Sequence, residues 1–236
     1  MDFKTSRKLR LDEGASIPVA PVNPDIPINS INFKSWFGNS VVRNTDGTPM
    51  PVFHSTSFIF DRFKVDHGQD SYRKFGAHFG SIEAATNRVH VRAEELAHNA
   101  EPDMGRNPHV MALYLSIQNP LRLDEVRTGR WGVHDVMMQI MEKGDVGLID
   151  IPEEMLDAFF RDELEIDGQS WTDVHEDEAS HLLISFLEKT LGVDGIVYAN
   201  TFEGGGDSYL VWDPKKIKSA SENTGQFDPN DDRITH

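Results

Sequence analysis

No cysteine occurs anywhere in the 236 residues. That absence excludes structural disulfides, zinc–thiolate centres and a thiol nucleophile. It suits a reducing cytosol, or export by a route that does not depend on disulfides. Long apolar runs are missing too, since no segment approaches the roughly 20 consecutive apolar residues that span a bilayer. The first ten residues carry Lys4, Arg7, Lys8 and Arg10 with no apolar stretch behind them, so they do not make a secretory signal peptide. Positive charge is scarce: 23 Lys and Arg stand against 39 Asp and Glu, for a net charge of −16. Such a surface repels phosphate backbones and argues against nucleic-acid binding. It either steers the protein towards a basic partner or does no more than keep it in solution.

What is present organises into one sizeable domain with tails. Residues 1–30 lack sustained periodicity, and Pro18, Pro21, Pro24 and Pro27 recur every third residue. That spacing predicts an extended, flexible leader or docking arm. Apolar residues return at Ile31, which opens a domain expected over 31–219. The Asp-Pro and Asn-Asp-Asp elements of 220–236 read as a polar tail. Within the domain, Val41–Arg43 and Pro51–His54 flank an Asn-Thr-Asp-Gly turn and predict a β-hairpin. Strands are expected over 76–81, 111–117, 196–198 and 209–212. Helices are expected over 82–99 (capped by Ser81), 134–143, 153–162 and 177–191 (ended by Gly192). Helices clustered mid-chain among short strands, without regular alternation, indicate an α+β fold.

One stretch organises the rest. Asp194–Pro214 reads as strand, loop, strand, with Asn200, Glu203 and Asp207 set around Gly204-Gly205-Gly206. Three glycines in a row suit a tight turn or close approach of a ligand. The carboxylates then sit either on a mobile loop that closes over something or at the polar tip of an ordinary hairpin. His175-Glu176-Asp177-Glu178 and His181 lack the His-Glu-x-x-His spacing and predict an acidic helix start with no bound metal. Arg88 is expected as a solvated helix arginine, the other reading being a contact with a phosphate. Tyr209 and Trp212 are expected in the core.

Five stretches in order carry a family resemblance. They are Trp36–Ser40 followed by the strand into His54-Ser55-Thr56; Gly76–Ser81 with Ala84-Ala85; Leu113–Leu123; Asp194–Pro214; and Ile217–Ala220 running to Phe227–Asp231. Together they resemble the ADP-ribosyltransferase domains of polyvalent phage and mobile-element proteins and of related bacterial effectors. The resemblance implies a split, twisted β-sheet that clasps NAD as a substrate, with helices at the sides. It implies that His54 bonds the adenosine ribose, that the Ser55 backbone holds the nicotinamide amide, and that Thr56 supports them. Phe79 or its neighbour His78 falls on the strand that stacks on the nicotinamide ring. Ser208 falls where many relatives carry the catalytic glutamate. It cannot supply a carboxylate, so the resemblance points to Glu203 or Asp207. An Asn-x-x-Glu-Gly pattern running from Asn200 to Gly204 favours Glu203. Ser55, where glycine is usual, is the second departure.

Cleavage between nicotinamide and ribose develops positive charge on the sugar, as in other glycosyl transfers. A carboxylate beside the ribose stabilises that charge more than it stabilises the ground state. The expected activity is therefore mono-ADP-ribosyl transfer from NAD to a protein side chain. The resemblance extends to effectors that modify host proteins, ubiquitin among them, so the expected setting is a secreted bacterial effector acting as a monomer in a host cytosol, with ubiquitin as a candidate acceptor. Two rivals stand beside it: an NAD glycohydrolase that uses water, and a degenerate, non-catalytic binding module motivated by Ser55 and Ser208.

Overall fold

The computed structural model describes residues 17–64, 75–89, 108–125, 131–174 and 176–236. The architecture is α+β, with its main sheet in two parts. One part is three-stranded, in the order β1 (Val52–Thr56), β3 (His109–Leu115), β9 (Ile217–Ser219). The other is four-stranded, in the order β2 (Ala77–Phe79), β8 (Asp207–Val211), β7 (Gly195–Ala199), β4 (Pro120–Leu123). Every pairing is antiparallel except β4 with β7. Among the described residues a single bridge joins the two parts: Phe53 and Gly80 exchange both backbone bonds, at 2.9 and 3.0 Å. This is the split sheet that the resemblance implies.

Helices cover the sheets because their apolar residues recur at helical spacing. α3 (Val133–Asp145) buries Val133, Val136, Met137, Ile140 and Met141 as one stripe. It packs with α4 (Glu153–Phe160) and α5 (Glu176–Ser185) over the outer face of the four-stranded sheet. α5 runs on as a π-helical turn through Phe186–Thr190, and Gly192 follows at φ +65°. α1 (Ile31–Phe37) starts at Ser30, whose side chain accepts from the Phe33 N–H at 3.1 Å, a cap worth about 1 kcal/mol. Residues 82–89 form α2, and Ser81 caps it by accepting from the Ala84 N–H at 3.1 Å. The rest of the helix expected to 99 lies outside the described residues. A small hairpin, β5 (Glu165–Ile166) with β6 (Gln169–Ser170), completes the fold.

Three expectations need correction. The hairpin at 41–54 reduces to one bridge, Arg43 with Pro49, because β1 is taken up by β3 instead. The leader is not free over its described part. Val19 bridges Val110, Val110 donates to the Pro18 carbonyl, and Ala20 donates to the Val110 carbonyl, so this segment extends the edge where β9 stops. Residues 1–16 lie outside the described residues. The 220–236 segment is not a loose tail either: Ala220, Phe227 and Ile234 are buried. The reason is local, because Lys218, fully buried on β9, donates to the carbonyls of Asp231 and Arg233 at 2.7 and 2.9 Å. Its ammonium has no other way to be solvated there, so the returning chain is held against the sheet.

Candidate active site

The site is built where the two half-sheets part. Val110 and Ala112 of β3 direct backbone groups away from β1, towards 18–20 and Ala220. The β1 residues opposite them, Ser55 and Phe53, must therefore direct theirs to the other edge. Phe53 uses that edge to bridge Gly80. Ser55, two residues on, presents its N–H and C=O to the split just past the bridge. Gly80 fits here because a Cβ on it would lie 2.7 Å from Ser208 Oγ.

His54 turns its ring between the half-sheets, edge-on to Phe63 at 5.0 Å and tilted on Phe79 at 5.4 Å. Its Nδ1 lies 2.7 Å from the His78 carbonyl oxygen. A carbonyl only accepts, so Nδ1 carries the proton and Nε2 is left as an acceptor. Dehydration lowers the pKa of this ring against the opposing pull of that bond, which keeps it neutral. Thr56 ends the strand by accepting from the Phe58 N–H at 3.1 Å.

Strand alternation sorts the remaining candidates. Neighbouring residues on a strand face opposite sides, so His78 and Phe79 separate, as do Asp207 and Ser208. Phe79 is only 2% exposed and packs with Phe63 and Val211 in the core between the sheets. It has no free ring face to offer a ligand, which leaves His78 as the ring on this strand. His78 meets Trp131 and Tyr198, at ring distances of 5.6 and 6.0 Å, and its Nδ1 lies 3.0 Å from the Tyr198 hydroxyl. Dehydration first, then the charges of His54 and Arg88, lower its pKa to about 3.

Ser208 lies directly across from Tyr198 and accepts from Asn200 Nδ2 at 3.1 Å. The same amide nitrogen donates to Glu203 Oε2 at 3.1 Å, while Asn200 Oδ1 accepts from the Glu203 N–H at 2.9 Å. Arg88 Nε lies 3.9 Å from Glu203 Oε1. Burial first, then the charge of Glu203, push the Tyr198 pKa up. His78, Tyr198, Ser208, Asn200 and Glu203 are thus brought into one connected polar chain, and His54 touches the same strand at the His78 main-chain carbonyl.

Asp207 is not part of it. It sits on the opposite face, held in a two-pronged pair by Arg122 at 3.0 and 2.6 Å. Among the described residues no group of three or more His, Asp or Glu side chains could hold a metal ion. His175 lies outside the described residues.

The glycine loop is pinned, where its composition suggests mobility. Glu125, just after β4, accepts from the backbone of Thr201 and Phe202 at 2.9 and 3.2 Å and from the Thr201 hydroxyl. On the other side, Asn87 Nδ2 donates to the Glu203 carbonyl at 2.6 Å. Gly204 lies so close to α2 that a Cβ would come 2.9 Å from the Ala84 backbone nitrogen. Backbone cannot step aside cheaply. Gly204→Ala is therefore expected to lift the loop from α2 and cut turnover at least tenfold while the melting temperature moves little, measured by steady-state kinetics beside a thermal scan.

Tyr198, Trp131, Glu125 and Asn87 were not visible as site residues in the sequence. Tyr198 could have been found from the β7–β8 register, which sets it opposite Ser208. Nothing local marks the other three.

A family model described as an ADP-ribosyltransferase in polyvalent proteins matches residues 44–227. No curated protein matches the chain. A solved structure described as the crystal structure of an anti-CRISPR protein is similar over 69% of this chain and 88% of its own, at 15% identity. Its TM-score of 0.25 is too low for the likeness to carry any argument.

Proposed function

The chain belongs to the ADP-ribosyltransferase family of polyvalent proteins, and from that premise we propose that it transfers ADP-ribose from NAD to a protein side chain. One observation supports this reading above the others: a run of side-chain polar contacts links His78, Tyr198, Ser208, Asn200 and Glu203, and His54 meets the same strand at the His78 main-chain carbonyl beside the split. His54 Nε2, an acceptor, takes a ribose hydroxyl proton donor at the adenosine end. The Ser55 backbone, aimed into the split, holds the carboxamide, and His78 stands beside that group. Glu203 stands at the nicotinamide ribose. As the C–N bond breaks, nicotinamide leaves with the bonding electrons and positive charge grows on the ribose, where the carboxylate stabilises it. Glu203 also takes the proton of an incoming hydroxyl if the acceptor is one.

The acceptor is a protein, reached by delivery into another cell, and ubiquitin is the first to try because the resemblance extends to effectors that modify it; the net charge of −16 is compatible with a basic patch on such a partner. No helix among the described residues is long and apolar enough to cross a membrane. Incubation with labelled NAD and candidate proteins tests the proposal. Labelled acceptor with matching nicotinamide release supports transfer. Nicotinamide without labelled protein indicates the glycohydrolase, and neither product indicates a non-catalytic module.

Both histidines titrate lower when folded than when unfolded, so the unfolded chain binds more protons between pH 6.5 and about 3. Stability is present above pH 6.5 and is lost as pH falls through that window. Melting temperature measured against pH is expected to drop below pH 6, and His78→Gln is expected to flatten the drop.

A further inference from the structure

The hydrogen-bond chain has a direction, and the direction fixes a proton. The Glu203 N–H can only donate, so the Asn200 atom it meets at 2.9 Å is the oxygen. The amide nitrogen of Asn200 then faces Glu203 Oε2 and Ser208 Oγ, both at 3.1 Å, and donates to each. Asn200 is 2% exposed, so no water is free to reverse that choice. Ser208, having accepted from Asn200, has its hydroxyl proton left for the Tyr198 oxygen across the ladder, to which its side chain hydrogen-bonds. Tyr198, having accepted, gives its own proton to His78 Nδ1 at 3.0 Å. His78 is neutral, so its remaining proton sits on Nε2.

Resting on the NAD reading above, we propose that Asn200, Ser208 and Tyr198 act as positioning residues that lock His78 as the Nε2–H tautomer. The outer nitrogen of His78 then presents a donor to an oxygen of the dinucleotide, the nicotinamide carboxamide oxygen by its location. The two imidazoles have opposite polarity. His54, bonded through Nδ1–H to a carbonyl, offers an acceptor to a ribose hydroxyl. His78, bonded through Nδ1 to a phenol, offers a donor to a carbonyl oxygen. Glu203 ends the chain, which ties the donor at one end of the site to the carboxylate at the other.

Multiple-bond 15N NMR of the histidine-labelled full chain, without ligand, tests the lock directly. His78 is expected to carry its proton on Nε2 and His54 on Nδ1. Tyr198→Phe keeps the ring packed 4.3 Å from Trp131 but removes the hydroxyl, so His78 should become a mixture of tautomers. Ser208→Ala, which leaves the His78 contact untouched, should do the same. The KM for NAD should rise about 2- to 10-fold in Tyr198→Phe, the loss of one neutral hydrogen bond, with the KM for the acceptor unchanged. A proton on Nδ1 of His78 in the wild type, or an unchanged tautomer in both variants, overturns the proposal. Because the tautomers are read without NAD, failure of the lock is distinct from failure of the transferase reading.

Discussion

Glu203→Gln is expected to lower the rate of nicotinamide release by about 10²–10³-fold, the range for removing one preorganised group that stabilises transition-state charge. The variant should fold, because a glutamine oxygen can still accept from Asn200 Nδ2, as Glu203 Oε2 does at 3.1 Å. KM for NAD should change little, since the charge being stabilised exists only as the glycosidic bond breaks. Asp207→Asn, at the start of β8, is the control. Its carboxylate is engaged by Arg122 on the opposite face, and an exposed pair of that kind is worth at most about 1 kcal/mol. Its turnover should stay close to wild type. Initial rates of nicotinamide release decide the matter, and equal losses in both variants would remove the distinction drawn here between the two acids.

Phe227→Ala is expected to cost about 3–5 kcal/mol of stability, the usual price of emptying a large aromatic site. The ring is 1% exposed and meets Phe33 edge-on at 4.8 Å and Trp36 at 5.7 Å. Phe33 in turn touches Tyr114 of β3 at 5.4 Å, so the final segment closes a core shared with α1 and the three-stranded sheet. Phe227 also holds a φ of +44°, a region that L-residues rarely occupy without packing to enforce it. Phe202→Ala, at a residue 76% exposed, should stay within about 0.5 kcal/mol. Urea unfolding of both variants measures the contrast.

The different fates of these two phenylalanines show what the sequence could and could not reveal. The 220–236 segment reads as a tail because Asp, Asn and Pro dominate it, and composition cannot show that buried Lys218 needs the carbonyls it brings back. The leader misleads in the same way: proline at every third residue predicts extension, which is right, but not the edge of β3 that the extended chain fills. α3, by contrast, was legible because its stripe repeats at 3.6 residues over several turns. β4 was missed as a strand, being a four-residue run whose partner, β7, lies far along the chain.

At the site, the resemblance and the spacing of the glycine loop mark His54, Asn200 and Glu203 as candidates. The choice between Asp207 and Glu203, or between Phe79 and His78, could not be made from residue types. It depends on which face a strand residue takes, and that is set by the register between strands. Tyr198 lay hidden for a related reason: an Ile-Val-Tyr run looks like core, and only its pairing with Ser208 makes its hydroxyl part of a relay.

Co-crystallisation with NAD decides whether His54 and Glu203 serve one dinucleotide site. One dinucleotide is expected to span the split, its adenosine ribose hydroxyl within about 3 Å of His54 Nε2 and its nicotinamide ribose within about 3 Å of a Glu203 carboxylate oxygen. NAD bound elsewhere, or touching only one of these two residues, would contradict it.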